Sequence, residues 1–167
     1  MAATFGVSLT GEPQRAFRLA RERGQDLRPA WRAIGQQAVT FTKNRFTTSR
    51  APDGSSWQPS RKTSGLTLVL KGLLLRSISA RPATNDGVDV GSNRVYAGIH
   101  QSGGVIRAKT AKGLRFRVGP NGAWVSKREV DIPKREYLGV NDQEMDAYGR
   151  ILLRHVGGPL TGEAPHG

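Results

Sequence analysis

Val90-Gly91-Ser92-Asn93-Arg94-Val95-Tyr96-Ala97-Gly98-Ile99-His100-Gln101-Ser102-Gly103-Gly104 is the stretch around which the chain is organised. It leaves a strand at Gly91, turns through Ser92-Asn93, runs apolar and extended over 95–99, and opens into a glycine-rich loop. His100 lies near Ser92, Ser102 and Tyr96 in the chain, which raises the question of nucleophilic chemistry. No nucleophile elbow, phosphate-binding glycine loop or histidine pair at metal spacing surrounds it. A lone histidine after an apolar run is more often a hydrogen-bonded structural residue. The stretch therefore reads as scaffold, its small residues admitting a second backbone at close range.

On its N-terminal side, Ser77-Ile78-Ser79-Ala80-Arg81 alternates like a strand. Asn85-Asp86-Gly87 is a hairpin turn, and Val88-Asp89-Val90 returns, with Ile78, Ala80, Val88 and Val90 on the core face. Residues 66–76 are apolar and read as a helix in which Gly72 allows close packing. On the C-terminal side, 106–112 is a basic, mobile loop carrying Arg107, Lys109 and Lys112. Leu114-Arg115-Phe116-Arg117-Val118 then alternates, with Leu114, Phe116 and Val118 pointing in and Arg115 and Arg117 out. Gly119-Pro120-Asn121-Gly122 turns, and Ala123-Trp124-Val125-Ser126-Lys127 pairs back, so this second hairpin is basic outside.

Further out, Thr10-Gly11-Glu12-Pro13 reads as the start of a helix over 14–27. Its apolar stripe, Phe17, Ala20 and Leu27, is narrow, so it is either mostly solvated or docked on a partner. Pro29 begins a second helix whose buried face is Trp31, Ile34, Ala38 and Phe41, with Phe46 closing its end. Residues 47–63 are a loop with a strong Pro52-Asp53-Gly54 turn signal. Trp57 in that polar loop is read as an anchor onto the domain, the other option being a partner-facing residue. Near the C-terminus, Asn141 caps a helix whose apolar face is Met145, Tyr148, Ile151 and Leu152. His155 suits the negative end of its dipole, and capping and solvation account for the acidic group Asp142, Glu144 and Asp146 better than a metal does.

The 167 residues fit one domain over 1–156, with helices in 11–47, a loop over 48–65, a helix plus β-hairpins over 66–140 and a closing helix over 141–156. Residues 157–167 read as a flexible tail. The expected class is α+β: an antiparallel sheet built from two hairpins, flanked by an N-terminal helix pair and a C-terminal helix. Without cysteine the chain has neither disulfides nor thiolate zinc sites. Residues 1–9 lack the basic start and apolar core of a secretory leader, and no apolar run is long enough to span a bilayer. The net charge of +13 attracts nucleic acid, anionic lipid or acidic proteins, and its sign does not choose among them.

An ordered set of signals is more specific than any one of them. Phe46 is followed by Pro52-Asp53-Gly54-x-x-Trp57-x-Pro59 and Leu70-x-Gly72-x-Leu74-x-x-Ser77-Ile78. Then come Val90-Gly91-Ser92, Tyr96-Ala97-x-Ile99-His100-Gln101-x-Gly103-Gly104 and Ile132-Pro133-x-Arg135-Glu136-Tyr137-Leu138-Gly139. Over about residues 30 to 155 this resembles the virion morphogenesis or tail-completion family of tailed, Mu-like bacteriophages. Lys71 departs from it, standing where the family often has threonine or serine.

The resemblance implies a structural virion protein, similar to neck and tail-terminator proteins, acting at the head–tail junction as a ring. It implies no catalysis and no cofactor. Its expected partners are its own copies, as a hexamer matching a hexameric tail tube, and neighbouring tail-tube and head–tail connector proteins. The protein would be assembled in the host bacterial cytoplasm and carried in the neck or tail of the virion. Trp57, Gly72, Tyr96, His100, Gly103, Gly104, Arg135 and Tyr137 would be scaffold, with Gly91 and Gly98 also allowing close approach. Arg135 and Glu136 would pair within or between subunits, to small energetic effect if exposed. Arg107, Lys109, Lys112, Arg115 and Arg117 would face an acidic neighbouring ring or the DNA that passes through. The alternative class is a basic nucleic-acid-binding protein without catalytic activity. Against it, Trp31, Phe41 and Phe116 point inward rather than forming a stacking platform, and no helix-turn-helix or ribonucleoprotein pattern is present.

Overall fold

A computed structural model describes residues 3–6, 12–22, 26–60, 66–117 and 122–157. Five helices and seven strands occur there, in the order β1 (Ala3–Gly6), α1 (Glu12–Glu22), α2 (Arg28–Thr48), α3 (Leu73–Ser77), β2 (Ile78–Ala80), β3 (Asp89–Ser92), α4 (Ala97–Ser102), β4 (Gly104–Arg107), β5 (Leu114–Arg117), β6 (Trp124–Lys127), β7 (Glu129–Ile132) and α5 (Asp142–Gly157). The class is α+β, as the sequence indicates, with small antiparallel sheets. The expected Thr10 cap, the linker over 61–65, Val118, the tip Gly119-Pro120-Asn121 and the tail over 158–167 lie outside the described residues.

The long helix α2 carries the core. Pro29 sits in its first turn, where a missing N–H costs nothing, and Ser49 ends it in a left-handed conformation. Trp31, Ile34, Ala38 and Phe46 are buried at helical spacing. Gly35, on the same face, lets α2 lie directly on the first sheet. A methyl group there would come within 2.8 Å of Val88 Cγ2 and 3.1 Å of Ala80 Cβ. That sheet has the order β1-β3-β2, antiparallel throughout, with Ile78 opposite Ser92 and Ala80 opposite Val90. Ile78, Val88 and Val90 are buried as expected, whereas Ala80 lies beside Gly35 at the rim and stays exposed. The hairpin turn also clamps α2, because Asn85 accepts the Leu27 N–H on its side chain and the Trp31 indole N–H on its carbonyl.

The other helices close around α2. Asn141 caps α5 as expected by accepting the Glu144 N–H at 2.9 Å, and Glu144 reaches back to the Asn141 N–H, so the two form a reciprocal capping box. Tyr148 and Leu152 are buried beneath it, with Met145 and Ile151 packed alongside. Helix α1 docks on α5 of its own chain through its narrow apolar stripe, and Gln14, Arg15, Arg18, Leu19, Arg21 and Glu22 stay exposed. Ala20 is fully buried, and Phe17 meets the Trp31 ring edge-on at 5.6 Å.

Four expectations give way to tertiary geometry. The strands form three sheets, not one: β1-β3-β2, β4-β7 and β5-β6. The expected helix over 66–76 shrinks to Leu73–Ser77, because Gly72 adopts φ +63, a left-handed conformation that starts the helix and cannot sit inside it. Instead of an extended run over 95–99, the chain forms the helix α4 over Ala97–Ser102. Residues 106 and 107 belong not to the basic loop but to β4, which pairs with β7.

Candidate functional site

Helix α4 and the segment after β7 are knitted into one framework. Gln101 donates to the Leu138 carbonyl at 2.8 Å and accepts the Tyr137 and Leu138 N–H groups at 3.1 and 3.0 Å. The Tyr137 hydroxyl donates to the Ala97 carbonyl, and the Arg135 N–H to the His100 carbonyl. Burial pushes the Tyr137 phenol up to about 12, so it serves as a hydrogen-bond donor throughout the neutral range. Gly103, at φ +71, makes room for this crossing, since a methyl group there would lie 2.8 Å from the Lys134 nitrogen.

Around it the loop over 49–59 folds back. Trp57 is buried, meets Phe46 edge-on and donates its indole N–H to the Glu136 carbonyl at 3.0 Å, so it is the anchor of this loop. Arg135 does not pair with Glu136. It donates to the Gln58 and Pro59 carbonyls, and Glu136 takes Lys134 at 2.6 Å instead. Beneath the framework lies an ion pair of Arg45 on α2 and Glu144 on α5, both almost fully buried. Arg45 also donates to the Tyr137 and Gly139 carbonyls, so one guanidinium ties α2, the 137–139 segment and α5 together.

Sequence reasoning passed over Arg45 and placed Gln101 in a motif without giving it a role. The signal for Arg45 was there: it occupies the apolar stripe of α2, one residue before Phe46.

Tyr96 and His100 still share a side, because positions four apart in a helix are neighbours, and their rings meet edge-on at 6.1 Å. Burial, and then the Arg135 charge, push the His100 imidazole below its ordinary range. Its Nδ1 is buried without a hydrogen-bond partner. Ser92 instead exchanges a hydrogen bond with the Ser77 hydroxyl at 2.7 Å and accepts the Arg94 N–H. Among the described residues, therefore, no serine–histidine pair assembles, and no three His, Cys, Asp or Glu side chains converge as a metal would require. Beside Tyr96, His100 and Arg135 opens a cavity of about 750 Å³, walled by Leu68, Leu70, Leu73 and Leu74 on one side and by Phe116, Val130 and Ile132 on the other.

The second wall belongs to a two-stranded ribbon that leaves the framework at Gly104 and returns at Ile132. Its ladders β4-β7 and β5-β6 are joined by the Ala108 N–H donating to the Arg128 carbonyl. Residues 108–113 bulge opposite Arg128, and Ser126 ties the bulge down by donating to the Lys112 carbonyl at 3.1 Å. All five basic residues singled out in the sequence lie exposed on this ribbon: Arg107 on β4, Lys109 and Lys112 in the bulge, Arg115 and Arg117 on β5. Arg107 meets Glu129 at 3.4 Å. Arg115 and Arg117 instead flank Trp124, their guanidinium carbons 5.0 and 5.1 Å from its ring centroid. Trp124 is 55% exposed. The sequence indicated that β5 and β6 pair; only the register, with Arg117 opposite Trp124, reveals the stack.

The described residues thus combine a packed helical framework with an exposed basic ribbon. The chain belongs to the phage virion morphogenesis family, whose model matches residues 10–157. It is therefore a protein of phage virion structure and assembly, and the family suggests a non-catalytic role. No curated protein and no solved structure matches the chain. No described helix is long and apolar enough to cross a membrane.

Proposed function

We propose that the protein completes the phage tail, or joins it to the head, as a closed ring of identical copies at the neck or tail terminus. Six copies match a hexameric tail tube. Neighbouring tail-tube and connector proteins are its partners, and it is built in the host cytoplasm before entering the virion. The observation that carries this reading is the ribbon. Among the described residues its sheets contain two strands each, and Val105 and Ile106 are exposed on β4. Unpaired edges are templates for a second chain, and a head-to-tail contact that closes makes a ring. A two-stranded ladder is also marginal in water without a covering surface.

The test is light scattering of the purified protein at moderate and high salt, followed by imaging of particles from a phage lacking this gene product. A discrete multimer that survives salt, together with separate heads and tails in the mutant, is the expected result. Normal particles from the mutant would overturn the joining role. A protein that stays monomeric even on isolated tails would overturn the ring.

A further inference from the structure

We propose that the outer face of the ribbon, Arg115 and Arg117 around Trp124, binds the phosphodiester backbone of double-stranded DNA without reading its sequence. This inference rests on the ribbon alone and holds whether or not copies close into a ring.

The first ground is the state of the two guanidiniums. Trp124 attracts both through its ring face yet accepts no conventional hydrogen bond, so the in-plane N–H donors of Arg115 and Arg117 stay available. Among the described residues neither arginine has a carboxylate partner, in contrast to Arg107, which Glu129 partly neutralises. Two cations are thus held side by side, exposed and preorganised. Residues two apart on a strand are separated by about 6.8 Å, a spacing that lets the pair bridge neighbouring phosphates.

The second ground is the choice of partner. Residues 104–132 contain seven basic side chains against two acidic ones, Glu129 and Asp131. The cores of protein interfaces are depleted in charge, whereas protein–DNA interfaces are strongly positive. The major groove of B-form DNA admits a two-stranded ribbon, while the deep, narrow major groove of duplex RNA does not. Outward positions on β5 and β6 are Arg115, Arg117, Trp124 and Ser126, with no Asn or Gln to read adenine, so the contact positions the duplex without selecting a site.

Trp124 supplies its own reporter. Trp31 and Trp57 are only 2% and 5% exposed, so acrylamide-quenchable fluorescence of the intact protein comes from the ribbon. A random-sequence duplex should shield that fluorescence and bind with an affinity that falls as salt rises. Arg115→Gln with Arg117→Gln should abolish the shielding and flatten the slope of log Kobs against log salt by about 1.8, two phosphate contacts fewer. Arg32→Gln with Arg150→Gln removes the same charge from exposed helix positions and should leave both unchanged. Trp124→Phe should silence the reporter and keep most of the slope. Equal losses in the two double variants would overturn the proposal in favour of diffuse attraction by a +13 chain. DNA binding that leaves Trp124 open to quencher would also overturn it. So would polyglutamate or anionic vesicles shielding Trp124 at a salt concentration where DNA does not, which would assign the face to an acidic protein or a lipid surface.

Discussion

Arg45 and the pair Arg115/Arg117 are the same side chain put to opposite uses. In the framework, Arg45 is 5% exposed and spends its donors on Glu144 and on the Tyr137 and Gly139 carbonyls. On the ribbon, Arg115 and Arg117 both lie against the Trp124 ring, with no carboxylate partner among the described residues. A buried guanidinium is tolerated only when its charge and donors are met, so Arg45 locks one arrangement of three chain segments. An exposed one loses little by waiting in water, so the ribbon pair can keep its donors for something outside the chain. Two regions of one basic protein thus divide into a framework that consumes its charge and an arm that displays it.

The sharpest way to break this contrast is Arg45→Met. It leaves Glu144 buried without a counter-charge and should destabilise the fold by about 3–5 kcal/mol in denaturant unfolding. Adding Glu144→Leu should restore much of that loss, and an unaffected midpoint in the single variant would mean the pair is not a lock. Trp57→Ala comes next, at about 3 kcal/mol, the low end for a buried tryptophan because its loop can relax. An unchanged melting temperature would remove Trp57 from the framework.

A smaller effect concerns His100, which Tyr96 and Arg135 face. Its imidazole is held below the ordinary range, so the unfolded chain binds a proton more readily than the folded one. Its contribution is then fully present above about pH 6.5 and lost as pH falls toward the lowered folded value. Unfolding midpoints measured between pH 7.5 and 5 should fall in the parent and stay flatter in His100→Gln. The smallest effect on stability belongs to Arg115→Glu with Arg117→Glu, under about 1 kcal/mol, since only exposed cation–π contacts are lost. The same variant should nonetheless fail to yield joined particles in a complementation assay. Full activity there would show that the displayed charge has no role.

Much of the framework was legible from residue order. The faces of α2 and α5, the Asn141 cap, the Asn85-Asp86-Gly87 turn and the β5-β6 pairing follow from periodicities of 3.6 and 2 and from local hydrogen-bonding options. Those are short-range effects, written into neighbouring residues. Where an apolar run is brief, local signals tie. Residues 97–102 suit helix or extended chain, and Gln101 gripping the 137–138 backbone accompanies the helical outcome.

The ribbon divides along the same line. The sequence alone determined that the chain is basic, that Arg115 and Arg117 lie on one side of a strand, and that the ordered motifs resemble a virion morphogenesis family. Only the tertiary structure decided that β4 pairs with β7, that Trp124 comes to rest against the two arginines, and that Arg45 finds Glu144 across 99 residues. Such pairings depend on which distant groups the fold brings within reach, and a linear pattern carries no record of that distance.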